Sequence, residues 1–224
     1  MTLKDFLNFV MKNKDTILEY TGNHFTLVLS AMLISLVIWI PVGLLLTKSD
    51  RWAARVLGIA NTIFCIPSLS MFAILVTIPI FGLGRKSALL ALVLYAMMPL
   101  IRSVYDGVKS VDGHVIEAAR GMGMSQGRIL REILVPLGMP IIFAGFRITV
   151  VMTTGIAAIA TYIGERNLGR FISEGLVRSN TPMMVTGALI ISVIAIGLDT
   201  MLGVLEHGMV PKGLRHSRAR GGAG

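Results

Sequence analysis

Long apolar runs constrain the fold of this chain more than any other feature. Apolar residues make up 54% of its 224 residues and charged residues only 15%, a balance that does not suit a water-soluble domain. Because a helix of about 20 residues crosses the hydrocarbon core of a bilayer, the sequence predicts an all-α, polytopic membrane protein whose membrane domain covers residues 25–205. The five predicted transmembrane helices are Phe25–Thr47, Val56–Ile80, Ser87–Val104, Leu137–Ile163 and Met183–Leu205.

The segments on either side of this domain differ in composition. Residues 1–24 mix acidic with basic side chains and lack a continuous apolar stretch, so they do not have the pattern of a cleaved signal peptide. Their apolar residues recur at roughly helical spacing, which predicts a short amphipathic helix on the outer membrane surface. Residues 206–224 are basic and rich in Gly toward the end, which predicts an irregular cytoplasmic tail.

The distribution of Lys and Arg predicts the orientation in the membrane. The loops after the first and third runs, together with the tail, carry more of these residues than the remaining loops and the N-terminal segment. By the positive-inside rule, the N-terminus is then outside, and the C-terminus and segment 106–136 are cytoplasmic. Contact of these residues with anionic lipid explains the net charge of +9. No basic stripe with interleaved aromatic residues occurs, so nucleic acid is not an expected partner.

The cytoplasmic segment 106–136 predicts a helix–turn–helix. Asp112 and Ser125 are suitable N-cap residues for its two helices. Gly121 and Gly123 supply the permissive backbone that a turn between them needs. Pro136 is expected to mark the exit of the second helix into the fourth span. A rigid pair of helices with a compact tip is suited to docking on a partner.

The order of residues in this segment resembles the cytoplasmic coupling signature of ABC import permeases. That signature is Glu-Ala-Ala, then Gly, then Ile-x-Leu-Pro, and Val135 in place of Leu is the departure from it. The whole chain resembles the permease subunit of a type I ABC importer with a methionine-permease-like fold. The resemblance implies coupling to a separate ATPase through small residues that permit close approach and a charged rim. The residues implicated are Glu117, Ala118, Ala119, Arg120, Gly123, Ile133 and Pro136.

A narrower resemblance, to permeases for the osmoprotectants glycine betaine, carnitine and choline, depends on other short stretches. The chain departs from many such importers after the fourth span, where Glu165 and Arg166 stand in place of the small residues of a Gly-Ala-Gly-Gly-Leu-Gly run. The stretches that carry the resemblance are 66–68, 91–102, 105–108, 121–124 and 160–164.

The resemblance also implies the partners of the chain. They are two ABC ATPase subunits that hold ATP and Mg, a second permease that is identical or homologous, and an extracytoplasmic substrate-binding protein, all at a bacterial plasma (inner) membrane. No Walker motif, nucleophile triad, metal-ligand cluster or pair of catalytic carboxylates occurs, so we expect a non-catalytic subunit without a cofactor of its own. The alternatives are a permease for amino acids, of the methionine type, and a membrane-embedded enzyme or scaffold.

Two charged residues fall inside predicted spans. A charge at the centre of a bilayer costs about 2.5–3.5 kcal/mol on insertion scales, so we expect Arg147 and Asp199 to face protein or water. A structural contact between them is one interpretation, and a contact with a neighbouring loop is another. Direct contact with substrate is a third, and it is less favoured for Arg147 because a basic residue would repel a quaternary cation.

The segment from Gly164 to Pro182 is too short and too charged to span the membrane. Arg166, Arg170, Glu174 and Arg178 recur at intervals of three and four residues, which predicts a helix with one polar face. We expect this helix to lie across the outer mouth of the transport path. Gly164, Arg170 and Arg178 are the candidate residues of an outer gate or docking surface, and a passive surface helix is the alternative.

Overall fold

The structure is a computed structural model that describes residues 2–209, with side chains through residue 206. Most of the predicted tail, 206–224, therefore lies outside the described residues. Every regular element within the described range is helical. The helices are α1 Leu3–Lys12, α2 Lys14–Leu46, α3 Asp50–Cys65, α4 Ser68–Val76, α5 Arg85–Lys109, α6 Gly113–Gly121, α7 Gln126–Ile129, α8 Val135–Ala157, α9 Gly169–Val177 and α10 Thr181–Met209; a π-helical turn, Leu130–Leu134, joins α7 to α8, and a 3-10 helix, Ala158–Ile163, follows α8.

Four helical stretches of the described range are long and apolar enough to cross a membrane. They are α2, α5, the continuous stretch Gln126–Ile163 and α10. The count reaches the predicted five only if α3 and α4 together form one span. These two helices meet at an angle of 94°, so the predicted second span, Val56–Ile80, is not one straight helix. Pro67 lacks an N–H and holds the preceding residue, Ile66, in an extended conformation, which stops α3.

The N-terminal segment is shorter than predicted and is packed on the protein. Since α2 begins at Lys14, the second half of segment 1–24 belongs to the first membrane helix. The remaining helix, α1, begins with a reciprocal capping box between Thr2 and Asp5. Its Phe9 ring packs edge-on against Phe171 of α9, with 6.1 Å between ring centroids. This aromatic contact holds α1 against the bundle, so α1 does not lie alone on the membrane surface.

The core of the bundle lies around α5, which α2 and α8 flank. Small residues bring the helices together: a Cβ on Gly107 would lie 2.9 Å from the carbonyl oxygen of Gly138, and a Cβ on Gly138 would approach the Gly107 carbonyl more closely still. Helices in a membrane associate through such close packing, because lipid supplies little hydrophobic drive between them. The α5–α8 crossing is therefore fixed by the absence of side chains.

Three polar side chains tie neighbouring helices through backbone carbonyls. The indole N–H of Trp39 donates to the Val93 carbonyl at 2.8 Å, joining α2 to α5. The Tyr95 hydroxyl donates to the carbonyl of Ile66 at the end of α3. His24 lies within hydrogen-bonding distance of the Thr154 carbonyl, 3.1 Å from its Nε2, and is fully buried. Each contact pairs a polar side chain for which hydrocarbon offers no partner.

Candidate functional site

The segment between α5 and α8 forms two capped helices joined by a tight turn. Asp112 accepts a hydrogen bond from the His114 amide at 2.9 Å and begins α6, and Ser125 accepts one from the Arg128 amide at 3.4 Å and begins α7. Both caps agree with the sequence prediction. Of the two glycines predicted for the turn, only Gly123 has a positive φ, +77°, whereas Gly121 is the last residue of α6. The turn therefore depends on one glycine.

The hydrogen bonds of this turn define a Schellman motif. The Met124 amide donates to the Ala119 carbonyl at 3.1 Å, and the Gly123 amide donates to the Arg120 carbonyl at 2.9 Å. This pattern requires a residue in the left-handed conformation after the helix, and glycine adopts it without steric cost. Gly123 thereby satisfies the last carbonyls of α6 and directs the chain into α7.

The exposed surface of this segment differs from the predicted one at a single alanine. Glu117, Ala118 and Arg120 are exposed, and Met122 at the tip is 74% exposed. Ala119 is buried, because its side chain points to the inside of the segment. Ala118 is thus available for close approach by another surface, whereas the methyl group of Ala119 packs within the protein.

The second helix does not end at Pro136. It runs on through the π-helical turn into α8, and Pro136 occupies the first turn of α8. In the π turn the Val135 amide donates to the Leu130 carbonyl, one residue further back than in an α-helix. This wider turn accommodates a proline that would otherwise clash with a carbonyl of the preceding turn. Ile133 and Pro136 are half-buried in this continuous helix.

A cluster of three charged residues joins α8 to α10. Two guanidinium nitrogens of Arg147 contact the Asp199 carboxylate, with Nη2 at 2.8 Å from Oδ1, and Nη1 lies 2.7 Å from Oε2 of Glu206. The contact between Arg147 and Asp199 that the sequence suggested is present. Sequence reasoning missed Glu206, although it follows Asp199 by about two helical turns and so lies on the same face of α10. One guanidinium shared by two carboxylates leaves a formal charge of −1, and the arrangement supports a structural role in holding α8 on α10.

The residues after the 3-10 helix anchor the end of the bundle that lies away from the α6–α7 segment. Gly164 has φ +90° and ends that helix. Glu165 is buried, at 8% exposed, and its carboxylate lies 3.1 Å from Nη1 of Arg85. Arg85 also donates to Thr26 at 3.0 Å. Burial raises the pKa of Glu165, while the nearby Arg85 guanidinium opposes that rise. Glu165 therefore links three parts of the fold, although the resembled family often has a small residue there.

Asn167 makes a second anchor in the same run. Its side chain donates to the Ala157 carbonyl at 2.9 Å and accepts from the Gly169 amide at 2.8 Å. It is fully buried, and the next helix, α9, begins directly after it. The departures from the small-residue run thus carry structural contacts that orient α9.

The helix α9 has the predicted polar face, and its charges are paired with one another. Glu174 contacts both Arg170 and Arg178, the latter at 3.2 Å. Arg166 is exposed and forms no ion pair with any residue that the structure describes. Arg170 and Arg178 are therefore partly neutralised by Glu174, whereas Arg166 presents a full charge.

Comparison with known proteins places this architecture in a family. Residues 39–211 match the family described as binding-protein-dependent transport system inner membrane component. The chain belongs to that family. It is accordingly a multi-pass inner-membrane permease subunit of an ABC importer.

Related permeases match this permease over nearly its whole length. It is 34% identical to the carnitine transport permease of Listeria monocytogenes, covering 96% of this chain and 98% of that protein. It is 32% identical to a glycine betaine/carnitine/choline permease of Bacillus subtilis, with 95% and 97% coverage. The osmoprotectant import permease of Salmonella typhimurium is 34% identical, with 94% and 100% coverage.

A solved structure supports the predicted fold of this permease. An inward-facing methionine ABC transporter superposes with a TM-score of 0.81, covering 89% of this chain and 99% of that chain. The identity is 19%, so this likeness concerns the fold alone. The expectation of an all-helical, methionine-permease-like fold is confirmed.

Proposed function

We propose that this permease provides the membrane path for a quaternary-amine osmoprotectant such as glycine betaine, carnitine or choline. The observation that carries the proposal is the near full-length similarity to relatives whose names specify these solutes. The solved neighbours that transport amino acids share only the fold at 19% identity, so they weigh less on the choice of substrate.

The exposed surface of the α6–α7 segment supports a role in coupling to a separate ATPase, which would hold ATP and Mg. Its tip presents Met122 and Ala118 between the charges of Glu117 and Arg120. An exposed apolar tip within a polar rim is the usual composition of a protein–protein contact. The two caps and the Schellman turn make this projection rigid, so a movement of the partner would be transmitted to α8 through the continuous helix.

The proposed assembly contains two such permeases, identical or homologous, and two ATPase subunits. A substrate-binding protein would dock at the end of the bundle that carries α9. Arg166 and the outer parts of Arg170 and Arg178 supply positive charge for that docking. Because Glu174 already pairs with Arg170 and Arg178, a change at Arg166 gives the clearer test of docking. Arg166→Glu should slow uptake that depends on the binding protein, more at low than at high ionic strength. If Arg166→Glu and the unaltered permease take up solute equally fast at every ionic strength, α9 is a passive surface helix.

The proposed orientation has the N-terminus outside and the α6–α7 segment in the cytoplasm. Cys65 is the single cysteine, so a Cys65→Ser background allows specific labelling. Asn13→Cys should react with an impermeant thiol reagent added to intact cells, and Ser125→Cys should react only after permeabilisation. The reverse pattern would overturn the orientation.

Uptake by the complete transporter in proteoliposomes tests the substrate class. We expect accumulation of labelled glycine betaine, carnitine or choline that requires ATP and the binding protein. Labelled methionine, supplied in the same way, serves as the control substrate. Accumulation of methionine alone would replace the osmoprotectant proposal with the methionine type of importer.

A further inference from the structure

The junction between α3 and α4 leaves backbone groups unsatisfied inside an apolar stretch. The first backbone bond of α4 runs from the Met71 amide to the Pro67 carbonyl, at 3.0 Å. The amides of the three preceding residues, 68–70, belong to the first turn and have no carbonyl behind them, and no side chain caps the helix at Pro67. In hydrocarbon each unmet donor costs several kcal/mol. Irregular backbone at membrane depth is tolerated where it is buried in protein or lines a water-filled cavity.

The face of α3 that leads to this junction is polar and open. Gly58, Asn61, Thr62 and Cys65 recur at the spacing of one helical face and are all exposed in the single chain. The Asn61 amide group makes no hydrogen bond with any residue that the structure describes, whereas Thr62 bonds to the Gly58 carbonyl at 3.0 Å. A helix face turned toward lipid carries large apolar side chains. Ile59, which is exposed on the flank of α3, is a side chain of that kind. Lipid offers the unpaired Asn61 carboxamide no hydrogen-bond partner, so this face meets water or protein rather than hydrocarbon.

The helix α4 then crosses the end of the bundle. Its Phe72 and Leu75 are buried in one cluster with Ala160 and Ile163 of the 3-10 helix. The following loop is tied to the same place, since the Gly84 amide donates to the Ile163 carbonyl at 2.8 Å. The bend thus lies beneath the end of the bundle that also carries α9.

We propose that the exposed face of α3 and the α3–α4 bend line the aqueous route along which the quaternary ammonium group passes. This inference rests on the function proposed above. Residues 56–84 contain no charged side chain, so the wall neither repels a cation nor binds it tightly. A quaternary ammonium group donates no hydrogen bond, and the oxygens of Asn61 and Thr62 offer it weak dipolar contacts. A transport route requires contacts of that strength, because a solute that binds tightly does not leave.

Cys65 serves as a native reporter for this route. The probe is a methanethiosulfonate reagent that carries a trimethylammonium group, applied to the complete transporter in proteoliposomes. A cysteine in water forms the reactive thiolate, and one in lipid does not, so Cys65 should react at least about tenfold faster than a lipid-facing cysteine. The attached group should also block uptake, and uptake by Cys65→Ser should be the same with and without reagent.

Two variants in the Cys65→Ser background provide the matched comparison. Asn61→Cys is on the proposed wall and should react with the charged reagent as fast as Cys65 does. Ile59→Cys is on the flank of α3. It should react slowly with the charged reagent but readily with a lipid-soluble maleimide. If Cys65 and Asn61→Cys behave like Ile59→Cys, the face is turned to lipid. If both are inert to both reagents, a second permease covers them. Either result overturns the proposal. The labelling rates do not depend on which solute is transported, so a wrong substrate class would appear only in the uptake experiment.

Discussion

The α5–α8 crossing and the α6–α7 segment are adjacent in the chain, yet they use glycine for opposite reasons. At the crossing, Gly107 and Gly138 are in backbone contact and neither has room for a Cβ. At the turn, a Cβ on Gly123 would meet no atom within 4 Å, and the glycine is required by its positive φ instead. The first region depends on the absence of a side chain and the second on a backbone angle. Changes in the two regions should therefore separate folding from coupling.

The largest effect is expected at the crossing. Gly138→Val would drive a branched side chain into the backbone of α5, and overpacking of a tight core costs about 3 kcal/mol or more. We expect little monodisperse protein in detergent and no uptake. The matched control is Gly155→Val on the same helix, where a Cβ meets nothing within 4 Å. Equal yields of the two variants by size-exclusion chromatography would show that close packing does not fix the crossing.

A second effect concerns the face of α8 that carries Arg147, where an ion cluster joins this helix to α10. Arg147→Met would leave Asp199 and Glu206 as two carboxylates without their cation. Removing one partner of a buried ion pair is strongly destabilising, and the partial exposure of Asp199, 42% of its side chain, makes the loss smaller than for a fully buried pair. Thermal unfolding in detergent should show the loss.

The control for that variant removes the carboxylate charges as well. Arg147→Met combined with Asp199→Asn and Glu206→Gln should regain part of the stability, because no unpaired charge remains. A triple variant that is less stable than Arg147→Met would mean that the side chains contribute through packing rather than through charge.

A third effect concerns the turn and should spare the fold. Gly123→Val would place a β-branched residue in the left-handed conformation, at a cost of about 1–2 kcal/mol. Since 1.4 kcal/mol corresponds to a factor of ten in population, uptake and transport-stimulated ATP hydrolysis should fall together by about tenfold. The unfolding temperature should change little.

Asparagine separates the backbone angle from the bulk of the side chain. Gly123→Asn should keep more uptake than Gly123→Val, because Asn tolerates the left-handed conformation. Equal losses for the two substitutions would point to a requirement for close approach at Gly123 rather than for its φ.

The smallest effect is expected at the cap of α7. Ser125→Ala removes the side-chain acceptor of the Arg128 amide, worth about 1 kcal/mol. Hydrogen exchange of the Arg128 amide should accelerate by about fivefold, and uptake should change less than for Gly123→Val. Ser125→Asp retains an acceptor and should exchange at nearly the original rate. Unchanged exchange in Ser125→Ala would show that the neighbouring helix stabilises α7 without its cap.

The sequence by itself determined the features that depend on composition and short spacing. The apolar runs predicted an all-helical membrane protein, and Asp112, Ser125 and Gly123 predicted the ends of the short helices, since capping and turn preferences act within a few residues. The cost of an intramembrane charge was enough to suggest that Arg147 and Asp199 face protein or water rather than lipid. The prediction of local structure was therefore most accurate where it depends on neighbouring residues alone.

Only the tertiary structure decided which distant groups meet. It turned Ala119 inward, added Glu206 to the Arg147 cluster and paired Glu165 with Arg85. It also placed α1 on α9 through the Phe9–Phe171 contact. Such contacts depend on the relative positions of whole helices, which result from the sum of many weak packing terms. A periodic pattern gives the face of a helix that is apolar, and the packed bundle decides what that face meets.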